Sequence, residues 1–207
     1  MARGPAKEMP RSRCMNPQRL LGSGGKTIHG MGCKRIIDPC AKPGKAFTIL
    51  GIDPGLAATG IGILRISRGT PTEAAYDCIA TKAGKEFTKR LVEIHSRARA
   101  IIRMFKPDVM AIERLFFSRN VKTAMYVGQA MGVVKLAAGQ AGVPVFEYTP
   151  MEVKQSVTGR GMGDKREVAS MVARLLGLDR VPKPDDAADA LAIAYCHFAS
   201  MRMDSRS

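Results

Sequence analysis

The sequence predicts an α/β fold, a mixed five-stranded sheet flanked by helices, and two patterns predict it. Between residues 47 and 81 three short apolar runs follow one another, joined by links that hold Gly and Pro. That is how an antiparallel meander reads. From residue 87 to residue 200 helical periodicity alternates with two further strand runs. Such alternation lays helices on the faces of a sheet.

The elements follow in order. Phe47-Thr48-Ile49-Leu50-Gly51-Ile52-Asp53 is a buried-strand run that ends in a carboxylate. Thr59 to Ile66 and Ala74 to Thr81 read as the second and third strands. Phe87, Leu91, Ile94, Ala98, Ile101 and Phe105 then recur at helical spacing, with Lys89, Arg90, Arg97 and Arg103 among the other positions. Lys106-Pro107 stops this helix, because the residue before a proline is pushed out of helical geometry. Val109-Met110-Ala111-Ile112 is a fourth strand closing at Glu113, Arg119 to Ala141 a long helix, and Pro144 to Tyr148 a fifth strand. Three helical stretches complete the pattern, at about Pro150–Val157, Lys165–Leu176 and Asp185–Ser200.

Residues 1–46 differ from this pattern. Gly, Pro, Lys and Arg dominate them and apolar periodicity is weak, so they are expected to form a basic, disordered extension ahead of a domain at 47–200 and a short tail at 201–207. Gly24-Gly25-Lys26-Thr27 looks like the end of a phosphate-binding loop. Positions 19 and 20 are Arg and Leu where the first Gly would stand, and no strand precedes, so a functional loop is not expected.

Formal net charge is +15, of which +8 falls in residues 1–46. The remaining domain is itself basic, so a polyanionic partner is expected even without the extension, and nucleic acid is the foremost one. The five cysteines show no paired spacing, which argues against a disulfide framework or a zinc site. No apolar run reaches the roughly 18–20 residues that span a bilayer, and the N-terminus has no secretory apolar core. No membrane association and a cytoplasmic location are the expectation.

The acids carry the chemistry. Asp53 closes the first strand, Glu113 the fourth, and Asp185, Asp186 and Asp189 open the last helix. If the first and fourth strands are neighbours, Asp53 and Glu113 stand side by side, and the shared helix face of Asp186 and Asp189 can be brought over them. Two unit charges about 4 Å apart repel by roughly 4 kcal/mol at an effective dielectric near 20. Three or four acids together therefore call for divalent cations, and hard oxygen donors suit Mg²⁺ or Mn²⁺. On a basic protein, a two-metal site of this kind points to phosphodiester hydrolysis. Blander readings exist for each residue. Asp53 before Pro54-Gly55 is also a turn residue, Asp185 and Asp186 also cap a helix, and Glu113 also has Arg114 for a partner.

At this point the motifs resemble a known family. Ile49-Leu50-Gly51-Ile52-Asp53-Pro54-Gly55 with Thr59-Gly60 looks like the first motif of the RuvC crossover-junction endodeoxyribonucleases. Ala111-Ile112-Glu113 with Phe116 and Arg119-Asn120 resembles the second. Residues 128–133, 145–148 and 153–159 are similar to its middle segments, and Asp186-Ala187-Ala188-Asp189-Ala190-Leu191-Ala192 to its closing motif. The matches run in order from about residue 48 to 198, while residues 1–46 depart from the family pattern.

The resemblance implies a ribonuclease-H-like fold and a homodimer that resolves four-way (Holliday) DNA junctions in recombination and repair. It implies paired, symmetric, Mg²⁺-dependent nicks that leave 5′-phosphate ends, with two ions per site and Mn²⁺ as a substitute. The branch-migration proteins RuvA and RuvB would be its functional partners. Asp53, Glu113, Asp186 and Asp189 become the expected catalytic and metal-binding set, with Asp185 the competing neighbour of Asp186. Phe116 is expected to stack on an unpaired base, an interaction worth about 1–3 kcal/mol. Lys154 and Lys165 match basic positions beside the site, and Arg119, Lys122, Arg160 and Arg166 are candidate backbone contacts. Gly51, Gly55 and Gly60 would let a phosphate approach the backbone, Gly51 being equally a packing residue. The small residues of the helix from Arg119 to Ala141 suit a dimer interface or a buried central helix.

Two other function classes share these features. One is a different enzyme on the same fold, a YqgF-like or transposase-like nuclease or a sugar-kinase-like ATPase. The other is a non-catalytic junction-binding protein. The chain lacks the second Gly-rich loop of such an ATPase, and retention of all four acids argues against a purely binding role.

Overall fold

The computed structural model describes residues 32–35, 46–115, 121–161 and 163–204. In chain order the elements are β1 (Gly32–Arg35), β2 (Phe47–Asp53), β3 (Ala58–Ser67), β4 (Thr70–Ala80), α1 (Phe87–Phe105), β5 (Val109–Glu113), α2 (Val121–Gln140), β6 (Val145–Tyr148), α3 (Pro150–Thr158), α4 (Lys165–Leu175) and α5 (Asp185–Asp204). Among the described residues no helix is long and apolar enough to cross a membrane.

One mixed sheet runs in the order β1-β4-β3-β2-β5-β6. β2, β3 and β4 form the antiparallel meander, whereas β2 to β5 and β5 to β6 are parallel. The five strands read from the sequence are all present. The sixth, β1, lies inside the segment expected to be disordered and pairs antiparallel with β4. Its sequence, Gly-Cys-Lys-Arg, has no alternation to announce it. Pairing with a free strand edge satisfies backbone groups whatever the side chains are, which is why composition missed it. At the other end α5 continues to Asp204, so the expected tail at 201–207 begins as helix.

Strand alternation divides the core in two. Ile49, Val109 and Ala111 face one side, where they meet Val153, Val157, Val168, Val172 and the apolar face of α5. Leu50, Ile52, Met110 and Ile112 face the other, packed on α1 and α2. Asp53 and Glu113 continue the first alternation, so both carboxylates leave the sheet on the α5 side.

α5 is the centrepiece of that layer. It lies across β2 and β3, and Ala187, Ala188, Ala190, Ala192 and Ala194 are all buried. Its closeness depends on three glycines. A Cβ at Gly51 would stand 2.1 Å from the Ala190 carbonyl oxygen, one at Gly60 1.9 Å from that of Asp186, and one at Gly62 2.6 Å from the Leu191 nitrogen. Helix backbone thus fills the room at Gly51 and Gly60 that the sequence reading left open for a phosphate. At Gly55 the space is taken by the Ala58 carbonyl, 2.1 Å from a built Cβ.

Candidate active site

Asp53 and Glu113 end adjacent parallel strands, following the paired Ile52 and Ile112. Asp186 and Asp189 enter from above on the first turns of α5, held down by the contact at Gly60. The first and fourth predicted strands are therefore neighbours, as the acid cluster requires. A cavity of about 260 Å³ is lined by Asp53, Glu113 and Asp189, together with Lys154, Lys165, Pro150, Val153 and Val168.

The electrostatics show how close the acids are. Burial pushes the Asp53 carboxyl up to about 7, and the charges of Asp189, Glu113 and Asp186 add to the rise against an opposing Lys165. Glu113 is raised by burial and then by Asp189, with Lys165 and Lys154 pulling the other way. Lys165 Nζ donates to Asp189 Oδ2 at 3.1 Å, and this bond raises the lysine above its ordinary range. Asp185 belongs elsewhere. It is exposed, accepts from Lys183 Nζ at 2.6 Å, and is lowered by that bond. The geometry favours Asp186 over Asp185 as the fourth acid.

The two lysines come from capped helices. α3 begins with a capping box: Thr149 Oγ1 accepts from the Glu152 backbone N–H and the Thr149 N–H donates to Glu152 Oε2. α4 begins at Asp164, whose Oδ1 accepts from the Glu167 N–H at 2.7 Å. Lys154 is half-buried in the cavity wall, while Lys165 reaches in with an otherwise exposed side chain.

The other expected contacts lie further out. Arg160 is exposed and donates through Nη2 to Glu167 Oε1 at 2.6 Å, and Arg166 is exposed on the first turn of α4. Phe116 and Arg119 lie outside the described residues, as do the Lys122 side chain and Gly24 to Thr27. His197, given no catalytic part by the sequence, is buried, with Nδ1 2.6 Å from the Tyr148 hydroxyl.

Sequence reasoning passed over the supports of the loop after Asp53. Thr59 Oγ1 donates to the Gly55 carbonyl at 2.6 Å and Thr81 Oγ1 to the Leu56 carbonyl at 2.6 Å. The Thr81 N–H donates to the Ala57 carbonyl at 2.9 Å. Arg90 joins them from α1, with Nε on Thr81 Oγ1 at 2.8 Å and Nη2 on the Leu56 carbonyl at 3.1 Å. A threonine closing the third predicted strand, Thr81, was the available signal.

All four acids offer hard oxygen donors, which fits Mg²⁺ or Mn²⁺. Among the described residues no group of three or more Asp, Glu, His or Cys side chains stands close enough together to hold a metal ion as placed. The ammonium of Lys165 takes up part of the charge instead.

The family model for crossover junction endodeoxyribonuclease RuvC matches residues 49–197. The chain belongs to the RuvC family. A RuvC from Moorella thermoacetica is 52% identical over 149 residues, covering 72% of this chain and 89% of that protein. The Thermus thermophilus RuvC solved in complex with a Holliday junction substrate is 38% identical, with a TM-score of 0.72 over 77% of this chain and 97% of that one. The yeast mitochondrial Holliday junction resolvase Ydc2 shares the fold at 13% identity, with a TM-score of 0.55 over 76% of this chain and 80% of that one.

Proposed function

We propose that this RuvC-family chain is a Holliday junction resolvase, acting as a homodimer in the cytoplasm to cut four-way DNA by paired, symmetric hydrolysis. The observation that carries the reading is the convergence of Asp53, Glu113 and Asp189 on one cavity beside Lys154 and Lys165, with Asp186 adding its charge to Asp53. A site that concentrates negative charge on a protein of net charge +15 is suited to hold cations against a phosphodiester.

Asp53, Glu113, Asp186 and Asp189 would hold two Mg²⁺ ions, with Mn²⁺ able to replace them. When bound, such ions supply Lewis-acid activation of water and stabilisation of the leaving oxygen. The protein's own part is positional. The ends of β2 and β5 fix two carboxylates, the α5 N-terminus fixes the others, and the Val153 and Val168 side chains form an apolar wall of the cavity. Lys165 and Lys154 offset charge as a DNA strand enters. In the hydrolysis a water oxygen bonds to phosphorus and the 3′ oxygen leaves, so the product carries a 5′-phosphate.

The dimer reading rests on α2. Met125, Gly128, Gly132, Leu136 and Gly139 recur at helical spacing along one face, with Met125 58% and Leu136 53% exposed. Exposed apolar residues beside small ones suit close approach of a second copy, and two-fold symmetry matches a two-fold junction. RuvA and RuvB are the expected functional partners on grounds of family membership. Phe116, Arg119, Lys122, Arg160 and Arg166 are proposed DNA contacts on the same grounds.

The test is cleavage of a synthetic four-way junction with each strand labelled in turn. Paired nicks at symmetric positions in Mg²⁺ are expected, with linear duplex spared. Asp53→Asn and Glu113→Gln should bind the junction yet lose more than about 100-fold in rate, since partners outside the ligand set are already worth about 10–100-fold. A wild-type protein that binds junctions without cutting them in Mg²⁺ or Mn²⁺ would refute the reading.

A further inference from the structure

We infer that Arg90 is a positioning residue for Asp53, acting through the loop at 54–57. This rests on the proposed nuclease site and adds to it a residue from the opposite layer. Arg90 projects from α1, whose buried residues belong to the core cluster on the far side of the sheet from α5. It appears in none of the electrostatic influences on Asp53 or Glu113. Its guanidinium instead makes two separate bonds, one to the Thr81 hydroxyl and one to the Leu56 carbonyl.

The geometry gives this fork a definite task. Thr81 is buried, and its hydroxyl spends its one proton on the same Leu56 carbonyl. Accepting from Arg90 Nε fixes that hydroxyl's orientation, because a hydroxyl has a single donor and must rotate to use it. Leu56 O thus receives two donors, and its neighbours Gly55 O and Ala57 O receive one each, from Thr59 and from the Thr81 backbone. Three consecutive carbonyls are pinned within four residues of Asp53. The loop starts at Pro54 and turns the chain from β2 into β3, so its path sets the exit direction of the Asp53 backbone. A planar guanidinium can hold two acceptors in a fixed relation, which an ammonium on a flexible stem cannot.

The role separates from simpler ones by experiment. Arg90→Lys keeps the charge and loses the fork, Arg90→Gln loses both, and Thr81→Val removes the shared hydroxyl. Three quantities are measured on the full-length protein: amide hydrogen exchange across residues 54–57, junction affinity without divalent metal, and single-turnover cleavage in Mg²⁺. In all three variants the expected result is faster exchange at 54–57, affinity within about twofold of wild type, and a cleavage rate lower by about 10- to 100-fold, the scale on which a shift of about 1 Å acts. Arg90→Lys should not rescue. Unchanged exchange at 54–57 overturns the proposal, and so does a rate loss matched by an equal affinity loss, which would make Arg90 a phosphate contact. The hydrogen-exchange arm needs no cleavage at all. A wild-type protein that fails to cut junctions therefore refutes the nuclease reading while the clamp is judged by its own measurement.

Discussion

Gly60→Ala tests how the site is assembled. A methyl at residue 60 would stand 1.9 Å from the Asp186 carbonyl oxygen and 2.6 Å from its carbon, whereas real Cβ contacts stay beyond about 3.0 Å. Both obstacles are backbone, so no rotamer change relieves them. The first turn of α5 must retreat by more than about 1 Å, carrying Asp186 and Asp189 away from Asp53 and Glu113. Overpacking of this kind costs about 1–3 kcal/mol, which a domain of ordinary stability, about 5–15 kcal/mol, survives. A misplacement of about 1 Å in reacting groups costs about 100-fold in rate. The variant should therefore fold, unfold somewhat earlier on heating, and cleave a four-way junction about 100-fold more slowly in single turnover. Gly84→Ala is the control, since nothing stands within 4 Å of its Cβ and it should match wild type in both respects. A Gly60→Ala protein cutting at the wild-type rate would refute the idea that this contact sets the acids in register.

Two further outcomes are expected. In EDTA the folded protein retains a proton on Asp53 up to about pH 7, while the unfolded chain has released it by about pH 4. Stability should therefore decline as pH rises through that window, by on the order of a few kcal/mol at most, and Asp53→Asn should remove most of the decline, as read by thermal unfolding at pH 5 and pH 8. Tyr148→Phe should cost about 1–3 kcal/mol in urea unfolding, because it strips the hydroxyl partner from Nδ1 of the buried His197, and an unchanged unfolding midpoint would show that bond to be dispensable.

Much of the fold was legible because its signals are local. The run from Phe47 to Asp53, the helical spacing from Phe87 to Phe105, and Lys106-Pro107 each fix a boundary from a few residues. The four acids were legible because each sits at an element's end, where a chain reading can place it. What escaped the sequence depends on contacts between distant segments. β1 forms on a strand edge through backbone pairing, without side-chain patterning. Gly60 was read as room for a phosphate and Gly51 as either that or a packing residue, and only the path of α5 shows that helix backbone occupies both spaces. Arg90 read as one of four basic residues, with Lys89, Arg97 and Arg103, among the positions outside the apolar face of its helix. Its acceptors are 9 and 34 residues away. Helical spacing alone permitted either Asp185 or Asp186, the family motif favoured Asp186, and in the structure Lys183 draws Asp185 outward.

These contacts also explain why a repulsive cluster persists in a folded chain. Asp53 and Glu113 are held where burial and neighbouring acids both oppose their ionisation. Among the described residues, Lys165 and Lys154 oppose this effect. The stabilising work is done beside and beneath it, where the backbone of α5 closes over Gly51, Gly60 and Gly62 and where Ile49, Leu191 and Ile193 are fully buried. Fully burying a large aliphatic side chain contributes about 1.5–3 kcal/mol, so a few of these outweigh the electrostatic penalty at the rim. Whether stability and catalysis respond together or in opposite directions therefore depends on where the substitution falls. Truncating the core under α5 should weaken the fold and the site together, whereas neutralising Asp53 should strengthen the metal-free fold while abolishing cleavage, the pattern of strain concentrated at a functional site.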